Sequence, residues 1–104
     1  MDNKRVFIPI LYDSYVGEDN LKEVCAGLEE ESVPYLLKQT DTVTEASIPI
    51  PLEVKIVVKR DVLKIYHAKI PSGDPYIIEK SGNERLIGKN AARIVKGLPL
   101  VVEK

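Results

Sequence analysis

The sequence predicts an α/β domain in which two helices pack against a mixed sheet. Three observations carry this prediction: an uninterrupted apolar run near the start, two segments with helical apolar spacing, and a pair of short apolar runs that fit a hairpin. The resulting order, strand-helix-strand, hairpin, strand-helix, implies parallel and antiparallel pairing in one sheet. A chain of 104 residues has the length of one domain with one modest core. We therefore predict a single domain over residues 1–104.

The first two predicted elements are a buried strand and an amphipathic helix. Residues 6–12 are all apolar, the pattern of a strand buried on both faces. Asn20 with Glu23 three residues later fits a capping box, and helical spacing continues to about residue 31. The apolar positions of this helix are Leu21, Val24, Cys25 and Leu28.

The middle of the chain predicts one more strand, a crossover and then a hairpin. Residues 33–38 fit a strand that is entered through Pro34. Residues 40–52 contain two prolines and several β-branched residues, so we expect at most one helical turn there, near residues 44–47. Residues 54–58 and 62–66 fit two strands joined by a tight link.

A short strand and a helix complete the predicted fold. Residues 76–78 follow a loop rich in proline, serine and glycine and fit a fifth strand. The final helix covers residues 83–96, Gly97 fits its C′ position and Pro99 prevents its continuation. Its apolar stripe consists of Ile87, Ala91, Ile94 and Val95.

Composition restricts the function classes. A formal net charge of −1 argues against a nucleic-acid binder, which normally carries a basic excess. The single cysteine, Cys25, cannot form an internal disulfide and fits a reducing cytoplasm. The apolar run at residues 6–11 is too short for a signal peptide or a membrane span. We expect a soluble cytoplasmic protein.

The sequence offers little for catalysis. The string GNERLIGKN has five residues between Gly82 and Gly88, where a phosphate-binding loop needs four, and Asn90 stands at the hydroxyl position. His67 is the only histidine, so a dyad with Cys25 would need the two to meet across the fold. No His and Cys spacing suits a metal site. We predict no catalytic residue.

Charged residues form two candidate interaction sites. Glu29, Glu30 and Glu31 occupy the last turn of the first helix, where the macrodipole disfavours each exposed carboxylate by about 0.3–1 kcal/mol. They are either a solvated turn or a site for a cation or a basic partner surface, and Mg²⁺ accepts one or two protein carboxylates. The final helix carries basic residues that are either solvated or available for docking by charge complementarity. These are Lys89, Arg93 and Lys96.

Four segments carry a resemblance to a known family. They are the apolar first strand with its Asp-containing loop, then EVCAGLEEESVPY, VKRDVLKIYHAKIP and GKNAARIVKGLPL. In this order and at similar spacing, they resemble the small subunit of the reactivating factors for adenosylcobalamin-dependent diol and glycerol dehydratases. The resemblance implies a three-layer α/β/α fold with a mixed, mostly parallel five-stranded sheet and one antiparallel strand.

The resemblance also implies a non-catalytic function. In that family the small subunit binds a large ATPase subunit at a site that also accepts the dehydratase's medium subunit, and this exchange releases damaged cobalamin. The subunit has no cofactor of its own, but Mg²⁺ lies at the interface with the large subunit, where the position of Glu30 supplies a ligand. Together with the basic face of the final helix, the acidic turn gives a predicted partner interface of Glu29, Glu30, Glu31, Lys89 and Arg93.

The chain departs from the family pattern in three places. Ser32 replaces an expected glycine, and residues 40–52 are shorter and richer in proline than the family's helical segment. Lys55 and Lys59 suggest an exposed or edge position for their strand.

The rival interpretations are a medium-subunit component of the dehydratase and a free-standing ligand-binding domain with a pocket at the carboxyl ends of the parallel strands. We expect dehydratase subunits as further partners, a homodimer when the chain is isolated, and a cytoplasmic location with association with a bacterial microcompartment as an open alternative.

Overall fold

Five strands form one mixed sheet in the computed structural model, which describes residues 6–40 and 50–102. The strand order is β2-β1-β3-β4-β5. β1 is parallel to β2 and β3, whereas β4 is antiparallel to both of its neighbours. The prediction of a mostly parallel five-stranded sheet with one antiparallel strand is therefore confirmed. The strands are β1 Ile8–Tyr12, β2 Tyr35–Gln39, β3 Val54–Val58, β4 Val62–His67 and β5 Ile77–Lys80.

Two helices, α1 (Glu18–Glu30) and α2 (Glu84–Lys96), pack against one face of this sheet. They contact each other along their length, and α2 also contacts β3 and β4. Leu11 and Val57 point away from the helices and are nevertheless buried, so the central strands are covered on both faces, as a three-layer fold requires. The core on the helix side includes Ile8, Ile10, Val24, Leu28, Ile56, Ile65, Ile87 and Ala91.

The predicted start of α1 was wrong. The helix begins at Glu18, with Gly17 as N-cap and no side-chain capping bond. Asn20 lies inside the first turn and donates its amide to Glu84 of α2 at 2.7 Å. A tertiary hydrogen bond has therefore replaced the local capping bond that the Asn20–Glu23 spacing suggested.

Strand bounds differ from prediction mainly at the ends. β1 and β2 start at Ile8 and Tyr35, which are register partners, and β5 is displaced to Ile77–Lys80. The hairpin of β3 and β4 is confirmed, closed by the N–H of Lys59 to the Val62 carbonyl at 2.9 Å. The exposed or edge position suggested for β3 was wrong, because β3 is the middle strand and four of its five residues are buried. The predicted helical turn at residues 44–47 lies outside the described residues.

Both helices end in a Schellman motif. At the end of α2, Gly97 has φ 71°, and the N–H of Leu98 reaches the Arg93 carbonyl at 2.9 Å. This confirms Gly97 as the C′ residue. At the end of α1 the same position is Ser32, with φ 60°. Neither of the two described helices is long and apolar enough to cross a membrane.

Candidate functional site

Two glycines bring α1 and α2 into backbone contact. A Cβ atom on Gly27 would lie 2.2 Å from the Arg85 carbonyl oxygen, and one on Gly88 would lie 2.2 Å from the Val24 carbonyl oxygen. Any side chain at either position would therefore collide with backbone rather than with a movable side chain. Gly88, which superficially suggests a phosphate loop, lies in the middle of α2 and serves this contact.

The helices cross in parallel, so their C-terminal ends lie side by side. We call the row of charges between them the charged seam. Carboxylates of α1 and of the residue after it face cations of α2 there, at distances of 3.1 to 3.9 Å. The cations offset the unfavourable proximity of acidic residues to the negative end of the α1 dipole. The seam consists of Glu23, Glu30, Glu31, Arg85, Lys89, Arg93 and Lys96.

Glu31 is the most enclosed residue of the seam. Its side chain is 10% exposed and lies 3.2 Å from Arg93 Nε and 3.6 Å from Lys96 Nζ. Lys96 also donates to the Glu31 backbone carbonyl at 2.8 Å. These contacts attach the end of α1 to the last turns of α2, so Glu31 and Arg93 have a structural function within the chain.

Glu30 is shared between two cations and remains accessible. Its carboxylate accepts from Arg85 at 3.2 Å and from Lys89 at 3.3 Å, and its side chain is 41% exposed. The carboxylate also lines an open cleft at the side of the seam, together with Glu23 and Arg85. Of the sequence-predicted interface residues on the seam, Glu30 therefore offers the most accessible carboxylate.

Glu29 points away from the seam, towards β2. It accepts a hydrogen bond from the Tyr35 hydroxyl, and this bond is the main cause that raises the pKa of Tyr35. Cys25 lies beside this pair, and burial raises the pKa of its thiol. The predicted buried, unreactive state of Cys25 agrees with this environment. The three consecutive glutamates thus face three different surroundings.

His67 lies apart from these groups. It ends β4, its Nδ1 accepts from the Lys69 N–H at 3.1 Å, and its ring meets Tyr76 edge-on at 6.2 Å. None of these contacts joins it to Cys25. In the described part of the chain, no group of three or more His, Cys, Asp and Glu residues is arranged to hold a metal ion.

Two buried polar residues were missed by sequence reasoning. Glu84 accepts from the Gly82 N–H at 2.9 Å and from the Asn20 amide at 2.7 Å. Asn90 accepts from the Val101 N–H at 2.7 Å and donates to the Val101 carbonyl at 3.0 Å. Serine at position 81, three residues before Glu84, is a weak local signal of such a helix start. Nothing in the local sequence indicates the partner of Asn90.

Two open clefts flank β2. The first, of about 520 Å³, lies between β2 and α1, and Tyr12, the last residue of β1, contributes to it. The second, of about 400 Å³, lies on the opposite face of the sheet. Both are mostly apolar, and neither collects a set of catalytic groups.

Comparison with known proteins places these features in a family. Residues 6–101 match the family model of the dehydratase medium subunit. The chain is 34% identical to a propanediol dehydratase-reactivating factor small subunit of Salmonella typhimurium, over 74% of this chain and 75% of that protein. It is also 34% identical to a diol dehydratase-reactivating factor small subunit of Klebsiella michiganensis, over 80% of this chain and 75% of that protein.

Solved structures give the same assignment. A chain in the structure of a diol dehydratase-reactivating factor complexed with ADP and Mg²⁺ superposes with a TM-score of 0.79 at 28% identity, over 95% of this chain and all of that chain. A glycerol dehydratase reactivase chain superposes with a TM-score of 0.78 at 26% identity, over 94% of this chain and 98% of that one. The relatives are accessory subunits rather than catalysts. This chain belongs to the dehydratase medium subunit family, among the small subunits of dehydratase-reactivating factors.

Proposed function

We propose that this chain is the small subunit of an ATP-dependent chaperone that reactivates a diol or glycerol dehydratase. In this proposal it binds a large ATPase subunit, exchanges with a dehydratase subunit of similar fold, and so allows damaged cobalamin to leave. The observation that carries the proposal is the similarity to reactivating-factor small subunits along most of the chain. The chain itself performs no chemistry, and its work is selective binding.

The proposed partner interface is centred on the charged seam. Glu29, Glu30, Glu31, Lys89 and Arg93 are the candidate residues, and their contacts divide them by function. Glu31 and Arg93 hold the two helices together, so they set the shape of the surface. Glu30 is the most accessible of the candidate residues on the seam, with a side chain 41% exposed against 30% for Lys89, and it is available for a partner of complementary charge.

A divalent ion at this interface would take one ligand from Glu30. The accessible carboxylate is suitable chemistry, because Mg²⁺ takes one or two protein carboxylates and completes its shell with water or phosphate. The described residues supply no cluster around Glu30, so the remaining protein ligands would come from the partner. Glu30 would have to give up at least one of its contacts with Arg85 and Lys89 on binding. The related diol dehydratase-reactivating factor is complexed with ADP and Mg²⁺ as a whole factor, so that Mg²⁺ is not assigned to its small subunit.

Two rival functions predict different partners. A medium-subunit component would bind the dehydratase large subunit stably, and the family model also covers such chains. A free-standing ligand-binding domain would use a pocket at the carboxyl ends of the strands. The cleft of about 520 Å³ includes Tyr12, at the carboxyl end of β1, but it extends to Glu29 and to Tyr35 at the start of β2. We further propose a cytoplasmic location, association with a bacterial microcompartment, and self-association of the free chain.

Titration calorimetry separates these functions. The chain is titrated with the reactivase ATPase subunit and, separately, with the dehydratase large subunit, each with Mg²⁺ and either ADP or ATP. The proposal expects tight binding to the ATPase subunit whose affinity changes with the nucleotide. Binding to the dehydratase subunit alone would make the chain an enzyme component, and no heat in either titration would contradict both subunit hypotheses.

A further inference from the structure

The outer edge of β2 is open in the described part of the chain. Among residues 6–40 and 50–102, β1 is its one neighbour. The Pro34 carbonyl and the Thr40 N–H, at either end of β2, both bond to β1, at 3.0 and 2.9 Å. Backbone groups alternate in direction along a strand. The even-numbered residues of β2 therefore direct their N–H and C=O groups to β1, and the odd-numbered residues direct theirs outward. The outward-pointing residues are Tyr35, Leu37 and Gln39.

Apolar clefts lie on both faces of this open edge. Leu37 lines the cleft of about 520 Å³ beside α1, and Leu36 lines the cleft of about 400 Å³ on the other face. The two leucines are 40% and 43% exposed. Natural edge strands are usually protected by charge, proline or a covering segment. An open backbone edge with a pocket on each face is the arrangement that accepts an added strand, because backbone bonds supply affinity and the pockets accept alternate side chains.

We propose that β2 is the contact surface of a homodimer, in which two copies of the chain pair their β2 strands antiparallel about a two-fold axis at Leu37. In this register Leu37 faces Leu37 of the second copy, and Tyr35 faces Gln39. Residues that face each other in this way exchange both of their backbone hydrogen bonds. All of the outward groups of β2 therefore find a partner, and the interface is self-complementary as two-fold symmetry requires.

The side chains of β2 suit this register. On the helix face the two Leu37 side chains meet at the axis, and each closes the open side of the other's cleft. On the opposite face Leu36 lies opposite Lys38 of the second copy, whose aliphatic stem covers it while the ammonium stays in water. The two Lys38 residues are not opposed, so the register avoids the repulsion of directly facing like charges.

The inference deepens one part of the proposed function, the self-association of the free chain, and does not depend on binding to an ATPase subunit. The other edge strand, β5, offers a matched control position. Ile78 is 60% exposed there, so it can receive the same substitution as Leu37 on an edge that the proposal leaves unused.

Sedimentation velocity of the isolated chain tests the proposal. We expect the wild type and Ile78→Lys to sediment at twice the chain mass of 11.6 kDa, and Leu37→Lys, which opposes two charges at the axis, to sediment as a monomer with an unchanged circular dichroism spectrum. A monomeric wild type at its highest soluble concentration, or a Leu37→Lys dimer as stable as the wild type, overturns the proposal. Loss of the dimer in Ile78→Lys overturns it too.

Disulfide trapping checks the register without relying on loss of binding. Facing residues of a hydrogen-bonded pair have Cα atoms about 5.5 Å apart, within the range that a disulfide spans. Leu37→Cys should therefore form a covalent dimer under mild oxidation, whereas Ile78→Cys should not; the reverse pattern overturns the register. A monomeric chain that still binds the ATPase subunit would reject the dimer and leave the proposed function intact, and a β2 dimer without that binding would do the opposite.

Discussion

Glu29, Glu30 and Glu31 are adjacent in sequence, yet each carboxylate has different partners. Consecutive helical residues point in different directions around the axis, so Glu29 reaches Tyr35, Glu30 reaches Arg85, and Glu31 lies against Arg93. The sequence could place three charges at a helix end and identify them as unfavourable there. It could not assign partners to Glu30 and Glu31, because the cations that compensate these two residues lie more than fifty residues away along the chain.

The Tyr35–Glu29 hydrogen bond predicts an alkaline loss of stability. The bond raises the pKa of Tyr35 above its ordinary value of 10.0, so the unfolded state releases the phenolic proton first. The stabilisation is complete below about pH 10 and is lost as the pH rises through the folded-state pKa. The difference in unfolding free energy between wild type and Tyr35→Phe should therefore be constant up to pH 10 and shrink above it, as measured by urea denaturation.

Tyr15→Phe is the matched control for this prediction. Tyr15 is an exposed tyrosine of the loop before α1, so general alkaline effects on the protein act on both variants alike. A wild-type curve that stays parallel to Tyr35→Phe up to pH 11 would contradict the coupling of Tyr35 to Glu29.

At the scale of elements, the two helix ends use the same motif with different residues. Gly97 and Ser32 both adopt positive φ, of 71° and 60°. The end of α2 could be predicted because Gly97, with Pro99 two residues later, is a local signal. Sequence comparison with the family marked Ser32 as a departure, and the structure shows its cost: a left-handed conformation disfavours a residue with a Cβ by about 1–2 kcal/mol.

Ser32→Gly should stabilise the protein. Relief of the left-handed conformation exceeds the additional chain entropy that glycine brings to the unfolded state, which is about 0.4–1 kcal/mol, so we expect a net gain of about 0.5–1 kcal/mol. The converse substitution, Gly97→Ser, should lose a similar amount. Denaturant midpoints that move in the same direction for both variants would contradict this assignment.

Gly88→Ala should disrupt the packing of the two helices. Alanine favours a helix by about 1 kcal/mol over glycine, but its Cβ would lie 2.2 Å from a backbone oxygen of α1. Overpacking of this kind costs about 1–3 kcal/mol, and more where backbone must move. We expect a net loss of about 2 kcal/mol in unfolding free energy, measured by urea denaturation.

Gly17→Ala provides the control for the glycine contact. The new Cβ would meet only a side-chain atom of Asn20 at 3.2 Å, and φ at this N-cap is −76°. The change should stay within about 1 kcal/mol. Equal losses of unfolding free energy in Gly17→Ala and Gly88→Ala would mean that the cost of Gly88→Ala does not come from the backbone contact between the helices.

At the scale of the whole molecule, the type and order of the elements and the β3–β4 hairpin were predictable, whereas the central position of β3 was not. Apolar runs and helical spacing located each described strand and helix to within a few residues. The middle position of β3 could not be read from Lys55, because this lysine lies over the ring of Tyr66 on the neighbouring strand, at 5.2 Å. Asn20 does not cap α1 because its amide bonds instead to Glu84, which lies 64 residues away along the chain.

If the chain functions as we propose, Glu30→Ala should weaken its complex with the large ATPase subunit while leaving the fold intact. Its side chain is accessible and its ion pairs are exposed, so its removal should cost little in monomer stability. We expect an affinity loss of about tenfold, which is about 1.4 kcal/mol, in calorimetry with saturating Mg²⁺. Glu23→Ala is the control, because Glu23 shares Arg85 with Glu30. Unchanged affinity in Glu30→Ala would remove this residue from the interface.

The Asn90 amide sets a limit on how far the carboxyl end can be shortened. It accepts from the Val101 N–H and donates to the Val101 carbonyl, and these two bonds attach the segment after α2 to the helix. Trimming by a protease to residue 100 would remove both partners of this amide and leave it buried without a hydrogen bond. Shortened versions of the chain for assembly experiments should therefore retain Val101.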